Sequence, residues 1–435
     1  MFERDWPTTE VGELVEKHFS GPSPDCEERQ IFASEEWGVL KTTAISWSGW
    51  NESAHKVLPR AYWGQQNLEI RAGDVLVTKA GPRHRVGVVC HVPSIRSQLI
   101  VSGKMIGLRP RTEVVEPRIL AGLISLAASQ KFIHDRTTGM AESQVNFANE
   151  VLLQTPIRLP PLNEQRGISG VLNNIDSAIQ EGESIIAKLK AVKQGLLYDL
   201  LTRGIDANGE LRPSPFDSPH LYKESAQGWI PKEWTFGVLQ GWLEGKPKNG
   251  YSPQEAGEWT GMQMLGLGCL TGDGFEPIQL KPAPRNDRRL AAAMLANGDL
   301  LMSRSNTRDL VGLAGVYRCV ETPCTYPDLM MRLRPSPETS GEFLQFVLRS
   351  PMLRRQIQAH AVGTSGSMVK ISGKIVSNLA LSMPSGPEQI RILNCLSAGA
   401  SRVTAEVEKV SLLRDIKHGL MDDLLTGRVR VTPLL

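Results

Sequence analysis

The sequence repeats itself at an offset of 224 residues, and nothing else limits its possible folds as strongly. LPPLNEQRGISGVL, starting at Leu159, matches MPSGPEQIRILNCL, starting at Met383. From Pro160 to Arg203, 14 of 44 positions are identical to their partners without a gap. The match ends in KQGLLYDLLT (Lys193–Thr202) against KHGLMDDLLT (Lys417–Thr426). Upstream the offset is almost the same. Gly73-Asp74-Val75-Leu76 answers Gly298-Asp299-Leu300-Leu301, Val86-Gly87 answers Val311-Gly312, and Arg109-Pro110 answers Arg334-Pro335. Gly139 and Ser143 match Gly363 and Ser367, and Asp5-Trp6-Pro7 finds an echo in Trp229-Ile230-Pro231. So long a unit is not a solenoid repeat; it is a duplicated domain followed by a duplicated helix.

In each copy the first part mixes short β-branched runs with Gly/Pro/Asn turns, which predicts strands at Asp74–Lys79, Val86–Val92 and Leu310–Val316. One longer amphipathic run closes each copy, Arg118–His134 and Gly341–His360, and predicts a helix. The second part is a long helix with a seam. Positions 168, 175, 182, 189, 196 and 172, 179, 186, 193, 200 are apolar at eight of ten. The partner positions 392–420 and 396–424 are apolar at seven of ten. Spacing of three and four over five heptads predicts a coiled coil, bounded by Pro160, Pro161, Pro384 and Pro387 at the starts and Gly204 and Gly427 at the ends. The alternative is two amphipathic helices each packed on its own domain, but about 60 Å of helix is more than a 160-residue domain covers. Lys193 and Lys417 share one seam position; each either fixes register or snorkels out.

The fold class expected is α+β: two mixed, strand-rich domains separated by two long helices that form an antiparallel coiled coil, with an internal pseudo-twofold repeat. The expected boundaries are 1–158, helix 159–205, second domain 206–383 with a linker at 206–226, helix 384–427 and a tail at 428–435.

Net charge, +3, is uninformative, but its distribution is not. Val75–Thr112 contains seven Lys/Arg and no acid; Phe343–Pro387 contains five and no acid. Such tracts point to a polyanion, or else to an ordinary solvated surface. No C-x-x-C pair or His cluster accompanies the six cysteines, so neither zinc nor a disulfide framework is expected and a reducing cytoplasm is the default. The longest nearly apolar stretch, Ile119–Ala128, is half a bilayer span, and the N-terminus carries no apolar export signal.

Catalytic motifs are missing. Leu159-Pro160-Pro161-Leu162 lacks the Asn or Asp and the aromatic that an amino-methyltransferase places around Pro-Pro. No phosphate loop, dinucleotide fingerprint or G-x-S-x-G elbow occurs, and Pro327-Asp328 is not followed by Glu-x-Lys at nuclease spacing.

Pro160-Pro161-Leu162-Asn163-Glu164-Gln165, a long helix, and Lys193-Gln194-Gly195-Leu196-Leu197 through Thr202-Arg203-Gly204 resemble the conserved region of type I restriction–modification specificity subunits. Leu424-Leu425-Thr426-Gly427 is similar to the end of the family's second copy. Gly298-Asp299-Leu300-Leu301-Met302-Ser303-Arg304-Ser305-Asn306 looks like its target-recognition-domain motif; the first copy departs from it with Lys79-Ala80-Gly81. The resemblance implies two target recognition domains at opposite ends of the coil, each reading one half of a bipartite, asymmetric duplex DNA site. It implies docking of two methyltransferase subunits and, through them, restriction/translocase subunits, with S-adenosylmethionine, ATP and Mg bound by the partners. The chain would hold no cofactor or metal, catalyse nothing, and not enter a membrane. The DNA contacts expected are Lys79, Arg83, His84 and Arg85 in the first copy. In the second they are Arg304, Asn306, Arg308, Thr364, Ser365, Ser367, Lys370 and Lys374. Arg, Lys and Asn suit bidentate base or phosphate contacts, though each could instead cap a turn or pair locally. Two other readings stand beside this one: the specificity part of a fused nuclease–methyltransferase system, and an adaptor scaffold that reads no DNA.

Overall fold

The structure is a computed structural model and describes residues 6–47, 49–254, 257–363 and 368–431. The chain divides into two compact units, 1–184 with 407–435, and 185–406. The division falls inside each long helix, not at the helix ends expected from sequence. Each unit therefore owns one strand-rich domain, part of the first helix and part of the second.

Unit 1 is built on a four-stranded antiparallel sheet in the order Val15–Phe19, Met105–Pro110, Val75–Thr78, Val89–His91. Unit 2 repeats it as Lys248–Asn249, Met330–Leu333, Leu300–Ser303, Ala314–Val316. Even the register is shared: Val75 faces Leu108, and Leu300 faces Leu333. Val75–Thr78 and Leu300–Ser303 are fully buried, and apolar except for a closing Thr78 or Ser303, since both faces of the sheet are covered. Each unit adds a three-stranded sheet with one parallel pair, Leu99 to Gly38 in unit 1 and Gln263 to Cys324 in unit 2.

The amphipathic runs expected to form single helices are each broken in two. Pro117–Ser125 and Ala127–His134 meet at an extended Leu126; Gly341–Arg349 and Pro351–His360 meet at an extended Ser350. In unit 2 the cause is Pro351, which excludes the helical conformation from the residue before it. Ser350 then caps the second helix by accepting from the Leu353 amide. Unit 1 has no proline there; Ser129 Oγ and Gln130 Nε2 donate to the Leu123 and Ile124 carbonyls at the break.

The long helices run over Leu162–Thr202 and Gly386–Leu425. Every one of the twenty seam positions is buried or half-buried, including Gly182 and Glu406. In unit 1 the helix segments run antiparallel: Lys417 Nζ reaches Asp176 at 2.9 Å, and Arg414 reaches Glu183 at 2.6 Å. Lys417 thus neither snorkels nor stands alone. Burial would push the Asp176 carboxyl up, but Lys417 and Arg118 together hold it below its ordinary value. The repeat puts Ala400 where Asp176 stands, so Lys193 has no such carboxylate on the second helix.

The dipeptide Glu-Gln explains why helix starts and helix ends are the best-matched segments. Gln165 donates to the Pro160 and Val114 carbonyls and accepts from the Glu116 amide; Gln389 donates to Pro384 and accepts from Ser340. The glutamine pins the helix start to its own domain. The glutamate clasps the end of the other helix. Glu388 accepts from both guanidinium nitrogens of Arg212, from Trp234 Nε1 at 3.1 Å and from the Ile205 amide at 3.0 Å. Gly204, at φ +65°, lies against this cluster, and a Cβ there would collide with Glu388, Arg212 and Trp234. Unit 1 has a looser counterpart: Glu164 pairs with Arg430, whose guanidinium lies over the Trp6 ring, and Gly427 at φ +74° packs against that ring, but the indole N–H makes no hydrogen bond to the carboxylate.

Three sequence-level expectations need correcting. The partner of Trp6 is Trp234, not Trp229: Thr8–Glu10 and Thr235–Val238 follow them and pair with the strand leading into each long helix. Trp229-Ile230-Pro231 belongs to a separate hairpin with Tyr222–Ser225, and Asp5 lies outside the described residues. The 206–226 segment is not a plain linker, because it supplies buried Arg212 and a strand. The 428–435 tail carries Arg430 and buried Val431 into unit 1.

Replacing Glu388 with alanine strands Arg212 in the interior, so unit 2 should lose about 3–5 kcal/mol. Glu164→Ala should cost unit 1 less, because Arg430 keeps a third of its side chain in water. Urea unfolding followed by tryptophan fluorescence measures both; equal losses would refute the ranking.

Candidate nucleic-acid interface

In both units the candidate loop grows out of a clamped strand. Asp74 is 1% exposed and accepts from the Arg71 amide. It is gripped by Arg109 through two contacts of 2.8 Å. Asp299 likewise accepts from the Ala296 amide and meets Arg332 at 3.0 Å. Arg332, not the sequence-aligned Arg334, makes this pair. The Gly-Asp motif is thus an anchor. It fixes the strand whose far end delivers Lys79 or Arg304.

The loops then close the same way. The Gly87 amide donates to the Thr78 carbonyl, and the Gly312 amide to Ser303, both at 2.8 Å. Between those points lie most of the residues expected to contact DNA. A second loop joins each one. Ala80–Gly81 pairs with Gln144–Asn146 in unit 1, and Ser305–Asn306 pairs with Val369–Lys370 in unit 2. Residues some 60 positions apart in sequence therefore form one surface in each unit.

Within that surface the cations divide. Arg83 and His84 are exposed, with Arg83 held by Glu142 at 2.9 Å. Lys79 is half-buried and donates to Ser20 Oγ and Asn149 Oδ1. Arg85 is half-buried and donates to the Thr42 and Ile45 carbonyls. In unit 2, Arg308, Lys370 and Lys374 are exposed, and Arg308 donates to the Gln358 carbonyl. Arg304 is half-exposed and touches the Asp328 carbonyl at 3.3 Å, while Asn306 caps its own turn by accepting from the Thr307 amide. Thr364, Ser365 and Ser367 lie outside the described residues.

The acid-free tracts also contain arginines that hold the frame. Arg354 donates to the Val311 and Asp309 carbonyls and so fastens the unit 2 loop to its helix. Arg349 donates to the Gly272 carbonyl. Burial lowers the proton affinity of both guanidinium groups; Asp273 and Asp309 oppose the shift. Charge runs in sequence did not separate these framing arginines from the exposed ones.

Among the described residues no group of three or more His, Cys, Asp or Glu is arranged to hold a metal ion, and no helix is long and apolar enough to cross a membrane. The six cysteines are free.

No protein-family model matches the chain. The EcoEI specificity subunit of a type I restriction enzyme from Escherichia coli is 32% identical over 199 residues, covering 45% of this chain and 33% of that relative. The chain thus matches only a third of that relative's length. The MjaVIII specificity subunit of Methanocaldococcus jannaschii is 22% identical over 346 residues, 77% of this chain and 75% of that one. A chain from a solved type I R-M system superposes with a TM-score of 0.60 at 18% identity, covering 99% of this chain and 100% of the other. In sequence the chain is similar to type I restriction enzyme specificity subunits, and in fold to a chain of a solved type I R-M system.

Proposed function

We propose that the chain is the non-catalytic DNA-recognition subunit of a type I restriction–modification complex, reading a bipartite, asymmetric duplex site. One observation carries this reading. Each unit places a cation-bearing loop, joined to a second polar loop, at the end of an Asp-anchored strand, and the two units share their backbone registers while differing in loop side chains. Equal frames with unequal readers suit two half-sites of different sequence. In this reading Arg83, His84, Arg308, Lys370 and Lys374, all exposed, meet phosphates or base edges, and Arg304 and Asn306 leave their local partners to make bidentate contacts in the major groove.

In this reading the two long helices form an antiparallel coiled coil that sets the distance between half-sites and docks the partners. Val192 and Ile416 occupy the same position of the repeat, and both are exposed apolar side chains, 65% and 43%. A pair of equivalent apolar sites fits two copies of one methyltransferase subunit. Restriction subunits join through these. The partners hold S-adenosylmethionine, ATP and Mg; the chain works in the cytoplasm and holds no cofactor of its own.

The deciding experiment co-expresses the chain with its methyltransferase partner and maps methylated adenines across the host genome. One split motif is expected; no methylation would favour the adaptor reading. The complex should bind duplex DNA with an affinity that falls by orders of magnitude between ~50 and ~200 mM salt.

Arg304→Ala with Asn306→Ala should relax one or two base positions of one half-site, by about 1–3 kcal/mol each, and leave the other half-site untouched. Methylation rates on single-base variants of both half-sites test this, and an even loss across the panel would sink the base-contact assignment. Seven-residue insertions at both Glu181 and Ala405 keep the seam and lengthen each helix by ~10 Å. They should shift the preferred spacing by about three base pairs; an unchanged spacing would refute the ruler.

A further inference from the structure

The hairpin Ile45–Ser46/Gly49–Trp50 is a two-stranded sheet of its own in unit 1, and Trp47 sits at its tip, 51% exposed. Its base is fixed. Arg85 Nη2 donates to the Ile45 carbonyl at 2.8 Å and to Thr42, and Trp50 Nε1 donates to the Ser94 carbonyl at 3.1 Å. Arg85 thus ties the ribbon to the loop that carries Arg83 and His84. Between them lies a surface cavity of about 630 Å³ lined by Trp47, Arg83, His84, Val86, His134 and Glu142.

Unit 2 has the same ribbon, Leu270–Thr271/Gly274–Phe275, in the same register, with Gly272 where unit 1 has Trp47. Its tip is also drawn back. Arg349 donates to the Gly272 carbonyl and lies 3.9 Å from Asp273. The aromatic tip is therefore a property of unit 1 alone.

Resting on the DNA-reading function proposed above, we propose that Trp47 reads the 5-methyl group of a thymine in the half-site contacted by unit 1. The major groove admits a two-stranded ribbon, and thymine is the one base that presents a methyl group there. An indole has a single donor and no acceptor, so it cannot make the paired contacts that identify guanine or adenine. Its apolar face discriminates by contact with a methyl group. The neighbouring Arg83 and His84 supply the attraction to the backbone, and Arg85 is a positioning residue that holds the ribbon in place.

The test uses the full chain in complex with its methyltransferase. Once the split motif is mapped, the relevant half-site is the one insensitive to the Arg304 and Asn306 substitutions. Each thymine in it is replaced by deoxyuridine in synthetic duplexes, which removes only the methyl group. Wild-type complex should methylate one such duplex about four-fold more slowly, the worth of burying one methyl group. Trp47→Ala should erase that difference at the same position and leave the other thymines as they were. Rates on the second half-site serve as the folding control. If Trp47→Ala weakens both half-sites evenly, Trp47→Gly, which copies unit 2 at this position, replaces it. A wild-type complex indifferent to uracil throughout the half-site overturns the proposal, as does a variant that keeps the wild-type ratio. A mapped motif with either outcome defeats only the role of Trp47. Absence of any split motif defeats the DNA-reading function and this inference with it.

Discussion

The buried carboxylate at the start of each long helix is the interaction on which the rest depends. Glu388 is nearly sealed from water and takes four donors from three separate segments: Arg212, Trp234 and the Ile205 amide. A carboxylate so buried is tolerable only when its lone pairs are filled and its charge is matched. Meeting that condition forces the end of the first helix, the chain that leaves it and the residue just before strand Thr235–Val238 to converge. Gly204 follows from the same demand, because no side chain fits at that junction. In unit 1 Glu164 holds Arg430, and Arg430 in turn lies over Trp6, against which Gly427 packs. Helix starts and helix ends match between the two copies because each end must fit the other helix's start.

The seam, the helix limits and the two-copy layout were legible in the sequence, since each is written in spacing and in paired identities. Twenty seam positions chosen by heptad spacing are all shielded from water. Tertiary partners were not legible. Nothing local in Arg85, Arg109, Arg349 or Arg354 distinguishes a guanidinium bound to a carbonyl or to Asp74 from one facing solvent. Reading the acid-free tracts as a surface therefore counted framing arginines with exposed ones. Linear comparison sets Trp6-Pro7 against Trp229-Ile230-Pro231, five residues short of Trp234, because the shared Trp and Pro stand out in sequence while strand pairing does not. Nor did Trp47 stand out, because its meaning comes from a hairpin tip and from its neighbours across the cavity.

A division of labour between frame and reader follows from the energetics. The frame is specified by interactions that tolerate little change: the Asp-centred strand anchors, the glutamate clasps, and central strands with both faces covered. These recur in both units at matching registers. The loops between Thr78 and Gly87, and between Ser303 and Gly312, are each closed by two backbone hydrogen bonds, which do not depend on the side chains in between. Their sequences are consequently free to diverge, and they have: Lys79-Ala80-Gly81 stands where Arg304-Ser305-Asn306 stands.

The same logic explains how duplication yields an asymmetric protein without cost to either fold. Backbone pairing fixes where a reader residue emerges, and packing beneath it is indifferent to what that residue is. Trp47 and Gly272 cap ribbons of one register, yet one tip presents an indole and the other is tied back by Arg349. A change at such a tip alters the surface offered to a ligand while the buried carboxylates and strand anchors keep their partners. Recognition can therefore vary one unit at a time, with stability resting on residues that never reach the surface.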